Sequence, residues 1–137
     1  MSDQDFSYYQ SQAVTTAIYR NSCSTLSSRM NYVRDGLVSE VGEICDKFKK
    51  FVRDDPRQEG IYLLNRLHNT GTLSPNRQER IEEFRVGVGL EIGDCLWYLA
   101  LLADELGLDF HDIMVSNLKK LDSRYEKGTL QGSGDHR

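Results

Sequence analysis

The chain has little cysteine, little proline and no excess of positive charge, and each shortage excludes a class of protein. Three cysteines among 137 residues form no C-x-x-C pair, so neither a disulfide framework nor a zinc cluster is indicated. A net charge of −4 argues against a nucleic-acid-binding protein, which needs a basic face. Two prolines leave long stretches in which a helix can run without a break. These shortages favour a helical protein of a reducing compartment, and we expect it to be cytoplasmic.

Long hydrophobic runs are also missing. The longest uncharged apolar run, residues 95–103, is far shorter than the roughly 20 residues that a membrane-spanning helix needs. Residues 1–5 are polar and acidic, unlike a signal peptide. Cys45 and Cys95 fall inside apolar helical patterns, so we expect them to be small core residues. The sequence therefore predicts a protein with no membrane and no nucleic-acid partner.

Apolar residues recur at helical spacing along most of the chain, and no run alternates with the period of a strand. This pattern predicts an all-α fold, a bundle of four to five helices. The predicted helices cover residues 6–20, 30–53, 61–68, 75–106 and 110 to about 125–127. We expect one domain over residues 1–128, with an uncertain insertion at about 54–84, and then a flexible tail at 129–137.

Glycine, proline and aspartate mark several predicted helix ends. Ser74 and Pro75 are typical of a helix start, and Asp109 of an N-cap. Gly107 and Gly128 are typical of the residue that terminates a helix. The third long helix is expected to be interrupted near residues 87–89, because Gly87 and Gly89 each cost about 1 kcal/mol relative to alanine.

Two pairs of carboxylates stand three residues apart, which places each pair on one helical face. The pairs are Glu40 with Glu43, and Glu91 with Asp94. Residues 95–103, after Asp94, are apolar all around the helix, so that helix is expected to be buried on every side. Neighbouring buried carboxylates are costly unless a positive group compensates them. An all-oxygen ligand set suits Mg²⁺, with Mn²⁺ also acceptable, and magnesium is usually completed by substrate phosphates.

The first pair also has a simpler interpretation. Glu40 flanks the apolar stripe of its helix and Glu43 lies further round, and E-x-x-E is common on solvated helix faces. Trp97 and Tyr98 follow the second pair by one turn, and we expect both in the core rather than stacked on a base. The second pair therefore carries most of the physical argument for a metal site.

Basic and polar side chains could meet the phosphates of such a substrate. Asn117, Lys120 and Arg124 share one face of the last predicted helix, beside an apolar face. An ordinary solvated face is the alternative. Lys47 follows Glu43 by one turn and could neutralise the site or contact phosphate, with i,i+4 pairing to Glu43 as the alternative. No glycine-rich phosphate loop of the Walker type occurs.

These segments resemble the MazG-like family of all-alpha nucleoside triphosphate pyrophosphohydrolases. The similar stretches, in order, are residues 36–50, 91–100 and 117–125, together with the region around Tyr9 on the first helix. Residues 54–84 do not align with the family pattern. Each stretch is unspecific by itself, but their order and joint occurrence make the resemblance specific.

The resemblance implies that both carboxylate pairs bind Mg²⁺ and that water attacks between the α- and β-phosphates. The products would be a nucleoside monophosphate and pyrophosphate, and Glu40 or Glu43 would orient or deprotonate the water. Three residues of the last helix match nucleotide-contacting positions of the family, namely Asn117, Lys120 and Arg124. The resemblance also implies a homodimer or homotetramer, with sites formed partly at the interface.

Two other functions compete with this interpretation. A di-iron carboxylate bundle also uses carboxylates of several helices, but it expects Glu-x-x-His motifs. None of Glu40, Glu43 and Glu91 has histidine three residues later. The second alternative is a helical module that binds nucleotide or protein without turnover, and the full set of four carboxylates argues against it.

Overall fold

The computed structural model describes residues 6–131, and the regular structure of this range is entirely helical. The absence of strands in residues 6–131 confirms the all-α prediction. Residues 1–5 and most of the predicted tail, residues 132–137, lie outside the described residues. The helices are α1 (Phe6–Thr15), a 3₁₀ helix (Ile18–Asn21), α2 (Leu26–Arg53), α3 (Gly60–Leu64), α4 (Pro75–Glu105) and α5 (Phe110–Glu126).

The described chain divides into two compact units. The first unit combines the chain up to Met30 with the chain from Ala100 onward, and the second unit is Asn31–Leu99. The single domain over residues 1–128 stays a prediction.

In the first unit, the side chain of Gln10 joins α1 to the turn between α4 and α5. Its amide nitrogen donates to the carbonyl oxygen of Leu108 at 2.8 Å, and its amide oxygen accepts from the backbone nitrogen of Phe110 at 2.9 Å. Phe6 and Phe110 stack edge to face beside it. Because Gln10 is buried, these bonds satisfy backbone groups that water cannot reach.

Also in the first unit, the carboxylate of Glu105 at the end of α4 collects three donors. The hydroxyl of Tyr19 donates to it at 2.7 Å, and the guanidinium groups of Arg20 and Arg29 donate at 2.8 and 2.7 Å. These bonds lower the pKa of Glu105 against the opposing effect of its burial. Burial and the bond to Glu105 raise the pKa of Tyr19 to about 12.

The core of the second unit is built largely by residues 54–84, which the sequence left as an uncertain insertion. Leu63 of α3, Leu73 and Ile81 are buried against Phe51 of α2 and Phe84 of α4. The segment is therefore part of the packed core of this unit, although it could not be aligned.

A buried aspartate holds this segment in place as it leaves α2. Asp55 accepts hydrogen bonds from the backbone nitrogens of Arg57 and Glu59 and pairs with Arg80 at 2.7 Å. Gly60 begins α3 so close to α2 that an added Cβ would lie 2.7 Å from the carbonyl oxygen of Phe51. A larger side chain at position 60 would collide with backbone, which cannot rotate away.

Three predicted helix boundaries are wrong. The short helix α3 ends at Leu64 rather than at residue 68. The other two differ because of local hydrogen bonding. The first helix ends at Thr15 rather than residue 20, where Thr15 and Thr16 bond their hydroxyls to carbonyls three residues back. The second starts at Leu26 rather than residue 30. Thr25 and Ser28 cap it reciprocally, each hydroxyl accepting from the other's backbone nitrogen.

The expected interruption of α4 near Gly87 and Gly89 is also wrong, since the helix is continuous from Pro75 to Glu105. Its predicted end is confirmed. Gly107 has a φ of +67°, and the backbone nitrogen of Leu108 donates back to Ala103, as in a Schellman motif. Asp109 caps α5 by accepting from Asp112, and Gly128, with a φ of +65°, ends it.

The expectation that α4 is buried on every side is wrong for the described chain. Leu90, Leu96 and Leu99 are exposed, Leu90 to 65%. Cys45, expected in the core, is exposed as well, because it lies off the packed face of α2. By length and composition alone, α4 is apolar enough to cross a membrane. One such helix is weak evidence for a membrane protein, because core helices pass the same test.

Candidate metal and substrate site

Within the second unit, α2 and α4 meet in antiparallel order. Contacts pair the early residues of α2 with the late residues of α4, and the late residues of α2 with the early ones of α4. The paired residues are Gly36 with Tyr98, Lys47 with Glu91, and both Phe48 and Phe51 with Phe84. Carboxylates from both helices therefore face each other midway along this pair.

Three of the four predicted carboxylates come together there. Glu40, Glu91 and Asp94 each offer an oxygen atom, and these atoms all lie within 4.8 Å of one another. Glu91 is buried, Glu40 is half-buried and Asp94 is exposed. Burial, followed by the charges of Glu43, Asp94 and Glu91, raises the pKa of Glu40. A compact set of mutually repelling oxygens, open to solvent on one side, fits a hard divalent cation.

Glu43 lies outside this group of three. Its side chain is exposed on α2. Its negative charge nevertheless contributes to raising the pKa values of Glu40 and Lys47. Glu43 is therefore near the site electrostatically but does not share the compact oxygen cluster.

Lys47 joins the cluster across the two helices. Its Nζ lies 2.8 Å from Oε1 of Glu91, and this hydrogen bond is the main reason that its pKa is raised. The ion pair of Lys47 is with Glu91 rather than with Glu43, so the alternative of local i,i+4 pairing is not what the structure shows. Glu91 is only 8% exposed, so this ammonium offsets a charge that would otherwise be buried without a partner.

An aromatic side chain closes the other end of the cluster. Tyr98 packs on α2 at Gly36, where an added Cβ would lie 2.2 Å from the ring. The ring of Tyr32 is 6.5 Å away. Burial, then Tyr32 and Glu40, raise the pKa of Tyr98. Sequence reasoning placed Tyr98 in the core, and it is half-buried. The missed signal was Gly36, one turn before Glu40, which is small enough to admit a ring.

The predicted substrate-binding residues of α5 belong to the first unit. Asn117 and Lys120 line a shallow cavity of about 780 Å³ together with Asp109 and Asp112. Arg124 does not line it and is buried, so the alternative of an ordinary solvated face does not hold for this residue. The first two residues share a cavity, and the third is part of the packed interior of the unit.

Known sequences resemble this chain over most of its length. The model of the MazG nucleotide pyrophosphohydrolase domain matches residues 29–129. The chain belongs to this family. It is also 36% identical over 131 residues to a protein named "Gene 37 protein" of Mycobacterium phage L5, covering 94% of this chain and 96% of that one. No solved structure matches the chain.

As a MazG domain, the chain places both carboxylate pairs and α5 inside the matched range. Residues 54–84 also lie within this range, so they are an internal part of the domain and not an appended segment. The family membership and the all-α fold that the resemblance implied are both confirmed.

Proposed function

We propose that the protein hydrolyses nucleoside triphosphates to nucleoside monophosphates and pyrophosphate, with Mg²⁺ held by Glu40, Glu91 and Asp94. The single observation that carries the proposal is the group of three carboxylate oxygens within 4.8 Å, in a chain of this family. Such a group is unfavourable without a cation, because like charges repel and Glu91 is buried.

The donor set fits the proposed ion. Carboxylate oxygens are the ligands that Mg²⁺ prefers, and Mn²⁺ accepts the same set, whereas zinc and copper prefer nitrogen or sulfur. When bound, such an ion polarises phosphate oxygens and lowers the pKa of water. Lys47 offsets part of the charge of the cluster through its ion pair with Glu91, and its proposed role is to contact a phosphate oxygen of the substrate.

In the proposed reaction, a water oxygen forms a bond to phosphorus and the bridge between the α- and β-phosphates breaks. The water proton needs an acceptor near the cluster. Glu43 suits this role, because it is exposed and outside the compact oxygen group. Glu40 is the second candidate, since it lies in the carboxylate cluster itself, where burial and then the neighbouring carboxylates raise its pKa. We further propose that Asn117 and Lys120, which line a cavity of the first unit, assist substrate binding, as the family resemblance implies.

The test is pyrophosphate release from a panel of nucleoside triphosphates with Mg²⁺, with both products identified. We expect Asp94→Asn to reduce kcat/KM by roughly a hundredfold or more, given that even outer-shell partners of metal ligands contribute 10- to 100-fold. Glu43→Gln should reduce kcat if Glu43 accepts the proton. Asp122→Asn is the matched control, because it removes an exposed carboxylate from α5. Full activity in both site variants would refute the assignment.

Two alternative functions give different results in the same experiments. A binding module would bind a triphosphate in calorimetry and release no product over hours. A di-iron protein would contain iron after anaerobic purification. The described residues that can jointly hold a metal are all carboxylates, which argues against a site with histidine ligands.

We also propose that the protein is a cytoplasmic homodimer or homotetramer. Apolar side chains on α2 and α4 remain exposed in the single chain, including Val38, Val41, Leu90 and Ile92. Exposed apolar surface of this kind is typical of association sites. Light scattering after gel filtration tests the assembly, and Leu90→Lys should shift the mass toward the monomer. A monomeric wild-type protein would contradict this part of the proposal.

A further inference from the structure

A second cavity lies in the same unit as the carboxylate cluster, and none of the roles assigned above uses it. Its volume is about 360 Å³. It is formed by the end of α2, the residues just after it and the beginning of α4, and so partly by the region that does not align with the family pattern. Its lining includes Lys47, Lys50, Asp54, Glu83 and Phe84.

One side chain connects the cavity with the carboxylate cluster. Lys47 lines the cavity and also bonds Glu91 at 2.8 Å. Gly87, one turn before Glu91, forms the wall at this point, and a Cβ there would lie 3.5 Å from Cδ of Lys47. Glu83 is two turns before Glu91, about 12 Å along the helix axis. The sugar of a nucleotide whose phosphates lie at the cluster bridges such a separation.

The lining suits a flat, uncharged ring better than a phosphate group. Phe51 and Phe84 form an aromatic floor, with ring centroids 4.3 Å apart. Arg80 stacks its guanidinium 4.6 Å from the centroid of Phe51. Asp54 and Glu83 stand among the basic groups, and their negative charges would repel a phosphate. Aromatic surface with both donors and acceptors at its edge is what a nucleobase requires.

Glu83 is the carboxylate of the cavity that is available to a ligand. Asp54 pairs with Arg53, and the basic groups Lys50 and Arg80 pair with Asp46 and Asp55. Among residues 6–131, Glu83 has neither an ion-pair partner nor a hydrogen-bond partner for its side chain. A carboxylate accepts hydrogen bonds and cannot donate them, so it distinguishes an amino group from a carbonyl oxygen.

We propose that this cavity binds the nucleobase of the substrate and that Glu83 accepts a hydrogen bond from an exocyclic amino group. Bases with an amino group are then preferred over counterparts with a carbonyl oxygen at the same position, because two acceptors facing each other are unfavourable. This inference rests on the proposed function for the chemistry of the substrate, but the discrimination is a property of the cavity.

The experiment compares substrates that differ only in this group, dCTP with dUTP and dATP with dITP. We expect kcat/KM to favour the amino-bearing member of at least one pair by about ten- to hundredfold, the range for a good contact to a base edge. In Glu83→Gln the ratio should fall toward one, because an amide both donates and accepts. Glu82→Gln is the matched control. It removes the same charge one residue earlier, outside the cavity, where Glu82 is exposed and faces Arg85.

Binding of non-hydrolysable α,β-methylene analogues of dCTP and dUTP, measured by calorimetry with Mg²⁺, separates the two proposals. Discrimination in binding of the analogues, with no product released from dCTP or dUTP themselves, supports the cavity and refutes the proposed hydrolysis. Turnover with equal kcat/KM for both members of each pair, or with a preference that Glu83→Gln leaves unchanged, refutes the cavity and leaves the hydrolysis intact. A preference for the carbonyl-bearing bases refutes the role of Glu83.

Discussion

Asp94→Asn is expected to stabilise the protein in the absence of magnesium and to destroy its response to the ion. Asp94 shares the cluster with Glu40 and Glu91, whose nearest oxygens lie within 4.8 Å. Two unit charges at that distance repel by about 1 kcal/mol in water, and the water-like value applies because Asp94 is exposed. Lys47 already offsets part of the charge of Glu91. The free energy of unfolding should therefore rise by about 1–2 kcal/mol, which corresponds to about 3–6 °C in Tm.

Magnesium should reverse the order of the two proteins. A ligand that binds only the folded state adds RT ln(1 + [L]/Kd), or about 2.7 kcal/mol at a hundred times Kd. The wild-type protein should gain this stabilisation, and Asp94→Asn should lose most of it with its missing ligand. The variant is then the more stable protein in EDTA and the less stable one in saturating Mg²⁺.

Thermal unfolding followed by circular dichroism measures both effects, in EDTA and along a Mg²⁺ titration. Asp122→Asn controls for the change in net charge, because each variant removes one negative charge from a chain of net charge −4. The control should respond to Mg²⁺ as the wild-type protein does. A lower Tm of Asp94→Asn in EDTA, or an equal Mg²⁺ response in all three proteins, would refute the reasoning from charge repulsion.

Three further predictions concern the framework of the two units. Gln10→Leu should lower the free energy of unfolding by about 2–4 kcal/mol in urea titrations, because it leaves the nitrogen of Phe110 and the oxygen of Leu108 without partners; the exposed Gln12→Leu should be nearly neutral. Gly60→Ala should destabilise by about 1–3 kcal/mol through overpacking, whereas Gly71→Ala, with open space around it, should not, and equal stabilities would contradict this account. The pKa of Tyr19 is raised from 10.0 to about 12, so the unfolded chain loses this proton first, and the stability present below pH 10.0 should fall as pH rises toward 12. In chemical denaturation, Tyr19→Phe should lack this part of the alkaline loss of stability. A pH profile equal to that of the wild-type protein would count against it.

Features that depend on a few neighbouring residues could be predicted from the sequence. Gly107, Asp109 and Gly128 were placed correctly at helix ends, because capping is decided by the backbone within one turn. The cap formed by Thr25 and Ser28 was missed, although it is equally local. Serine stands there in the position where glutamate or glutamine usually marks a capping box.

Features that depend on contact between distant segments could be predicted only in part. Helical spacing placed Glu91 and Asp94 on one face, and the wheel put Glu40 nearer the packed stripe than Glu43. The sequence could not show whether Lys47 pairs with Glu91 or with Glu43, because the rotation of α2 against α4 decides this. The sequence predicted a short helix at residues 61–68 and a helix start at residue 75. It did not show that Leu63, Leu73 and Ile81 fill a core together with Phe51, because that packing joins distant segments.

That core has a consequence for how the carboxylates stay together. Repulsion within the cluster acts to push α2 and α4 apart. Phe51 of α2 and Phe84 of α4 pack against each other on the side of the cluster away from Gly36. The packing of this core therefore opposes the separation of the two helices. Shortening the region between residues 54 and 84 would remove Leu63 and Leu73 from the core and let the like charges separate. Residues 54–84 would then be the part of the domain that holds the negatively charged residues of the proposed cation site together.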